Sequence, residues 1–152
     1  MIDGVDAKPL RVIPDERGRL MEILREDDAL FERFGQVYLT TARPGVIKAW
    51  HAHRHQADCL TCVQGTIKLA LYDDREDSPT CGRFQEFELG EDSPLLVRIP
   101  PLVWHGFQNL ADVEALVINT VTRPYDHEDP DELRRPVEGD IPYEWERARL
   151  PL

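Results

Sequence analysis

Short apolar runs separated by turn residues make up most of this chain. Ile67, Leu69 and Leu71 alternate with Lys68, Ala70 and Tyr72, and that period of two predicts a strand. The segment QVYLTTA at residues 36–42 is rich in β-formers, and Arg43-Pro44-Gly45 ends it. Further strands are expected at residues 20–24, after a turn at Asp15-Glu16-Arg17-Gly18, and at residues 46–53. Residues 59–63 and 66–72 flank Gln64-Gly65 as a hairpin. Phe84, Phe87 and Leu89 mark another strand, residues 95–99 another, and ALVINTVT at 115–122 closes the series. A short helix is expected at residues 28–34 and a helical turn at residues 131–135. Strands at this spacing suggest an all-β sandwich or barrel.

After residue 122 the chain becomes polar and turn-rich. The acidic run of Glu128, Asp129, Asp131 and Glu132 reads as a solvated loop. The aromatic stretch DIPYEW at residues 140–145 changes that character, so the tail at 123–152 is expected to pack back on the barrel or on a partner subunit.

Length and charge set bounds on function. A chain of 152 residues is expected to form one domain, residues 1–152. Eighteen Lys and Arg against 29 Asp and Glu leave a formal charge of −11, which argues against nucleic acid and anionic membranes as partners. No apolar run reaches membrane-span length and the N-terminus lacks a signal-peptide pattern, so a cytoplasmic protein is expected. Cys59, Cys62 and Cys81 do not form a disulfide framework. On a strand Cys59 and Cys62 face opposite sides, and both read as small buried residues.

Candidate chemistry concentrates in GVIKAWHAHRHQADCLTCVQG, residues 45–65. His51, His53 and His55 sit two apart, so on a strand at least two imidazoles can enter one cavity. His105 stands in a second segment, IPPLVWHGF at residues 99–107. To these are added Asp15-Glu16-Arg17-Gly18 with Met21-Glu22, DDREDSPTCG at residues 73–82, and Tyr143-Glu144-Trp145.

The order of these segments resembles the cupin family, and within it the dTDP-4-dehydrorhamnose 3,5-epimerase branch of nucleotide-sugar enzymes. The likeness covers residues 10–146. It implies a double-stranded β-helix, two antiparallel sheets rolled into a small open barrel (a jelly roll), with short peripheral helices. It also implies a homodimer, with an edge on the N-terminal strand to be paired. The implied activity is epimerisation of a dTDP-linked 4-keto-6-deoxy sugar, without a cofactor. The ketone acidifies the protons on its neighbouring carbons. Such an enzyme needs a base, a stabiliser for the enolate oxygen, and an acid on the other face.

The resemblance assigns His51 as base. It places Glu138, with Asp140 as near neighbour, as the carboxylate that holds His51. His105 lines the pocket, Arg17 and Lys48 fall on the diphosphate side, and His53, Asp73 and Arg75 lie in or near the sugar site. Two positions depart from the family. Its enolate-stabilising lysine is replaced by Asp58, and its acid, a tyrosine on the strand after H-G-F, by Ile118, with Tyr125 as the nearby substitute. The same segment is also similar to the general cupin metal pattern. His51, His53, Asp58 and His105 would then suit a divalent Fe, Mn, Ni or Zn ion, giving a metal-dependent dioxygenase or sugar-phosphate isomerase. A sugar-binding cupin without catalysis is the third reading.

Overall fold

A computed structural model describes residues 1–146; the end of the expected tail, residues 147–152, lies outside the described residues. Twelve strands follow in order: β1 (Asp6–Pro9), β2 (Val12–Asp15), β3 (Gly18–Met21), β4 (Gln36–Ala42), β5 (Ile47–Ala52), β6 (Asp58–Gln64), β7 (Thr66–Asp73), β8 (Phe84–Gly90), β9 (Leu95–Ile99), β10 (Val103–Asn109), β11 (Ala115–Val121) and β12 (Leu133–Arg134). One five-stranded sheet runs β1-β9-β6-β11-β4, a second runs β12-β5-β10-β7-β8, and β2 pairs with β3 alone. The two large sheets are the layers of an all-β jelly roll, and neither closes on itself.

The core follows from the period-two patterns. Ile67, Leu69 and Leu71 of β7 are fully buried, and meet Val97 and Ile99 of β9 and Val117 of β11 in one cluster. On the other face of the second sheet lies a smaller cluster of Trp50, Ala52, Ala70, Trp104 and Ile141. Tyr143 and Trp145 pack against it, with Tyr143 edge-on to Trp50 at 5.5 Å between ring centroids. The aromatic tail therefore covers the sheet's outer face, which explains why Ala70 is buried on a face that alternation alone would leave wet. Cys59 and Cys62 fall into different clusters, on opposite sides of β6.

Two expected helical elements are corrected. Residues 28–34 form turns and irregular chain. The Asp28 carboxylate binds Lys8 at 2.6 Å and accepts the Arg25 N–H at 2.8 Å, so local and tertiary bonds consume the segment before a helix can propagate. Residues 131–135 are not a helical turn: Leu133–Arg134 is a strand on β5, pairing Leu133 with Ala52 and Arg134 with His51. The N-terminal strand β1 pairs with β9 on one side and stays an edge of the first sheet on the other.

Candidate active site

The site is built around a bulge. Between β5 and β10, His105 pairs with His51 and Phe107 with Lys48, so β5 spends one residue more than β10 over the same stretch. That extra residue brings Lys48 and His51, three apart, onto one face, which a regular strand cannot do. The strands approach closely there. A Cβ on Gly106 would stand 2.3 Å from the Ala49 Cβ, so only glycine fits.

Lys48, His51, His53, Asp58 and His105 line one cavity of about 260 Å³, together with Tyr38, Thr40, Leu60, Phe107, Asn119 and Glu132. It opens toward a wider outer cleft of about 1160 Å³, with which it shares Tyr38, His53 and Glu132. The outer cleft carries Arg33, Arg54, Arg123 and Arg134, and also His55, Tyr125 and His127.

His51 Nδ1 lies 3.1 Å from Glu132 Oε1. Its carboxylate partner is thus Glu132, a correction to Glu138 and Asp140, which are both exposed. The reason lies one residue earlier. The Asp131 carboxylate accepts the backbone N–H groups of Arg54, His55 and Gln56 at 2.6, 2.9 and 3.0 Å. Three bonds to consecutive amides clamp this part of the tail beside β5, and Glu132 is carried to His51. The acidic run is therefore only partly solvated loop. Burial and the nearby His105 hold His51 below the ordinary imidazole pKa, against the pull of Glu132, so the ring is neutral at neutral pH. Burial alone would raise the Glu132 carboxyl, but Arg134 and His51 outweigh it and keep it ionised.

Asp58 is only 2% exposed and accepts from three sides. Gln56 Nε2 donates to Oδ1 at 2.7 Å, while His53 Nε2 and His105 Nε2 stand 3.4 and 3.1 Å from Oδ2. The remaining ring nitrogens are held by backbone oxygens, His53 Nδ1 by Asp131 and His105 Nδ1 by Val103. Burial would raise Asp58, yet its bonds to His105 and His53 keep it well below the usual carboxylate range. Burial works against charge on His53, but Asp58 and the Asp131 carbonyl outweigh it, and the ring is pushed up to about 9. His53, Asp58 and His105 also offer donor atoms within 4.8 Å of one another and could hold a metal ion. His51, engaged with Glu132, is outside that group.

The other expected site residues are scattered. Lys48 is in the cavity and donates to Thr40 Oγ1 at 2.9 Å. Arg17 is 82% exposed at the β2–β3 turn, paired with Asp15. Asp73 is fully buried and belongs to a structural turn: its carboxylate accepts from Arg75 at 2.8 Å and from Ser78 and Thr80 at 2.6 Å. Neither Asp73 nor Arg75 lines the cavity. Tyr125 is 49% exposed, in the outer cleft and edge-on to His127. Ile118 does not face the cavity; the inward position of β11 is Asn119. Glu132, Tyr38 and Asn119 escaped the sequence reading. QVYLTTA did signal a strand whose alternation carries Tyr38 to one face, but not which face met the site.

A family model described as dTDP-4-dehydrorhamnose 3,5-epimerase matches residues 1–149. A probable low-salt glycan biosynthesis epimerase from Haloferax volcanii is 44% identical over 137 residues, covering 89% of this chain and 88% of that protein. A spore coat polysaccharide biosynthesis protein from Bacillus subtilis is 40% identical over 146 residues, 95% of this chain and 97% of its own length. Among solved structures, a dTDP sugar isomerase from Desulfovibrio desulfuricans superposes with a TM-score of 0.90 at 37% identity, covering 95% of this chain and 92% of that one.

Proposed function

The chain belongs to the dTDP-4-dehydrorhamnose 3,5-epimerase family and is an epimerase of dTDP-linked sugars in glycan biosynthesis, and we propose that His51 is the base of its reaction. The observation that carries this is the His51–Glu132 pair in the inner cavity. A neutral imidazole can take a proton from the carbon beside a ketone, and an ionised carboxylate at Nδ1 fixes its tautomer and stabilises the imidazolium that forms. The substrate is a 4-keto-6-deoxy sugar, whose ring matches the small inner cavity. Its nucleotide lies in the outer cleft, where Arg33, Arg54 and Arg123 face the diphosphate. Lys48, the lysine of the inner cavity, is the donor for the enolate oxygen, while His105 is held by Asp58 and the Val103 carbonyl. No cofactor is required. The enzyme works in the cytoplasm as a homodimer. Among the described residues no helix is long and apolar enough to cross a membrane.

The test is proton exchange. The protein is incubated with dTDP-4-keto-6-deoxyglucose in D2O, with and without a chelator, and the carbons flanking the ketone are followed by NMR. Deuterium enters one or both carbons in either condition, and His51→Asn lowers that exchange by about 10²–10⁴-fold. Full exchange in His51→Asn removes His51 as base. Exchange that disappears with chelator and returns with added Fe, Mn, Ni or Zn favours the metal reading at His53, Asp58 and His105.

A further inference from the structure

We propose that Tyr38 is the catalytic acid, delivering a proton to the face of the sugar opposite His51. This rests on the epimerase reading and completes it, because the family's tyrosine position is not filled by one here. His51 stands on β5 in one sheet and Tyr38 on β4 in the other, and both line the inner cavity. A base and an acid on facing sheets are what inversion at a carbon between them requires.

The strand pairing shows how a tyrosine reaches that place. In the β4–β11 ladder Tyr38 stands directly across from Asn119, so their side chains share a face. Asn119 is buried, and its Nδ2 donates to Tyr38 Oη at 2.8 Å. The phenol oxygen is thus positioned by accepting a bond. Its own hydrogen has no acceptor among the described residues and is available to a ligand in the cavity. Asn119 Oδ1 is itself buried without a partner, a second polar atom there with unmet capacity. On β11 a short amide occupies the inward position, and the phenol stands across from it on the neighbouring strand. Tyr125, the substitute nearest in sequence, lies in the outer cleft and not among the residues of the inner cavity. Burial, with the Asp58 charge behind it, pushes the Tyr38 phenol up to about 12, so it holds its proton at neutral pH.

The step balances within the substrate. His51 Nε2 takes the proton from the carbon beside the ketone, and the C–H electron pair moves to the ketone oxygen as an enolate. The enolate returns that pair to the same carbon, which bonds the Tyr38 hydroxyl proton on its opposite face. Water then reprotonates the phenolate and takes the proton from His51. No oxidant or reductant enters.

Removing the acid while keeping the base separates exchange from inversion. Tyr38→Phe is made beside wild type and His51→Asn, and each is mixed with dTDP-4-keto-6-deoxyglucose in D2O. NMR reads deuterium incorporation and inverted product, and the rise in melting temperature with dTDP reads folding and binding. Wild type gives both deuterium and inverted sugar. Tyr38→Phe, with an unchanged dTDP response, keeps exchange within about threefold, because the half-buried His51 trades its proton with solvent. Its inverted product falls at least about 100-fold. Inversion at the wild-type rate in Tyr38→Phe overturns the assignment and leaves the epimerase reading intact. So does inversion kept in Tyr38→Phe but lost in Tyr125→Phe, or loss of exchange together with inversion in a Tyr38→Phe protein that still binds dTDP. Wild type showing neither exchange nor inversion overturns the reading itself.

Discussion

At the scale of single residues the site depends on pairs that sequence spacing does not display. His51 and Glu132 are 81 positions apart and meet at 3.1 Å. Glu132 raises the basicity of His51 against burial, so its removal has a signed consequence. Glu132→Gln lowers the imidazole pKa further, and the acid limb of the rate–pH profile moves to lower pH. The exchange rate at pH 7 falls about tenfold or more, because a less basic and less firmly oriented imidazole is the weaker base. A rate profile across pH 5–8 for both proteins checks this. An unshifted limb would place the controlling titration on another group.

At the scale of elements, the β7–β8 turn shows residues matched to a family motif yet doing structural work. Asp73 closes β7, and its carboxylate gathers Arg75, Ser78 and Thr80 around one buried anion. Burial would raise its pKa, but those hydrogen bonds outweigh it and hold the group well below the usual carboxylate range. A depressed folded pKa stabilises at pH above the unfolded value of about 3.9, and that contribution is lost as pH falls through the folded value. Asp73→Asn is accordingly less stable than wild type at pH 7 by about 2–4 kcal/mol, with Arg75 left short of its partner. The gap narrows below pH 4. Urea unfolding of both proteins at pH 7 and pH 3 measures it, and a gap of constant size would mean the carboxylate charge contributes nothing.

At the scale of the whole molecule, β1 and β4 are the two edges of the first sheet, each paired within the chain on one side only. On β4 the outward Val37 and Leu39 are exposed, and Phe34 just before it is exposed as well. An apolar, unpaired edge is a candidate interface. Multi-angle light scattering is expected to give twice the 17.5 kDa chain mass. Val37→Lys with Leu39→Lys is expected to shift that mass toward one chain. A single-chain mass for the unmodified protein would remove the homodimer.

Periodicity alone determined that this chain is built of strands, because alternation in segments such as Ile67, Leu69 and Leu71 needs only a two-residue repeat and one buried face. Most strand positions were legible for that reason, the spacing of two put His51 and His53 on one face, and the family resemblance added His105 as a pocket residue. Segments without a repeat were not legible: residues 28–34 looked helical until Lys8 and Arg25 claimed Asp28. Only the tertiary structure decided which carboxylate reaches His51, since three amides on Arg54, His55 and Gln56 draw in Asp131 and leave Glu138 in solvent. It alone placed Lys48 beside His51, through a bulge that breaks the repeat. It also set Tyr38 against Asn119, through a strand register that no local pattern encodes.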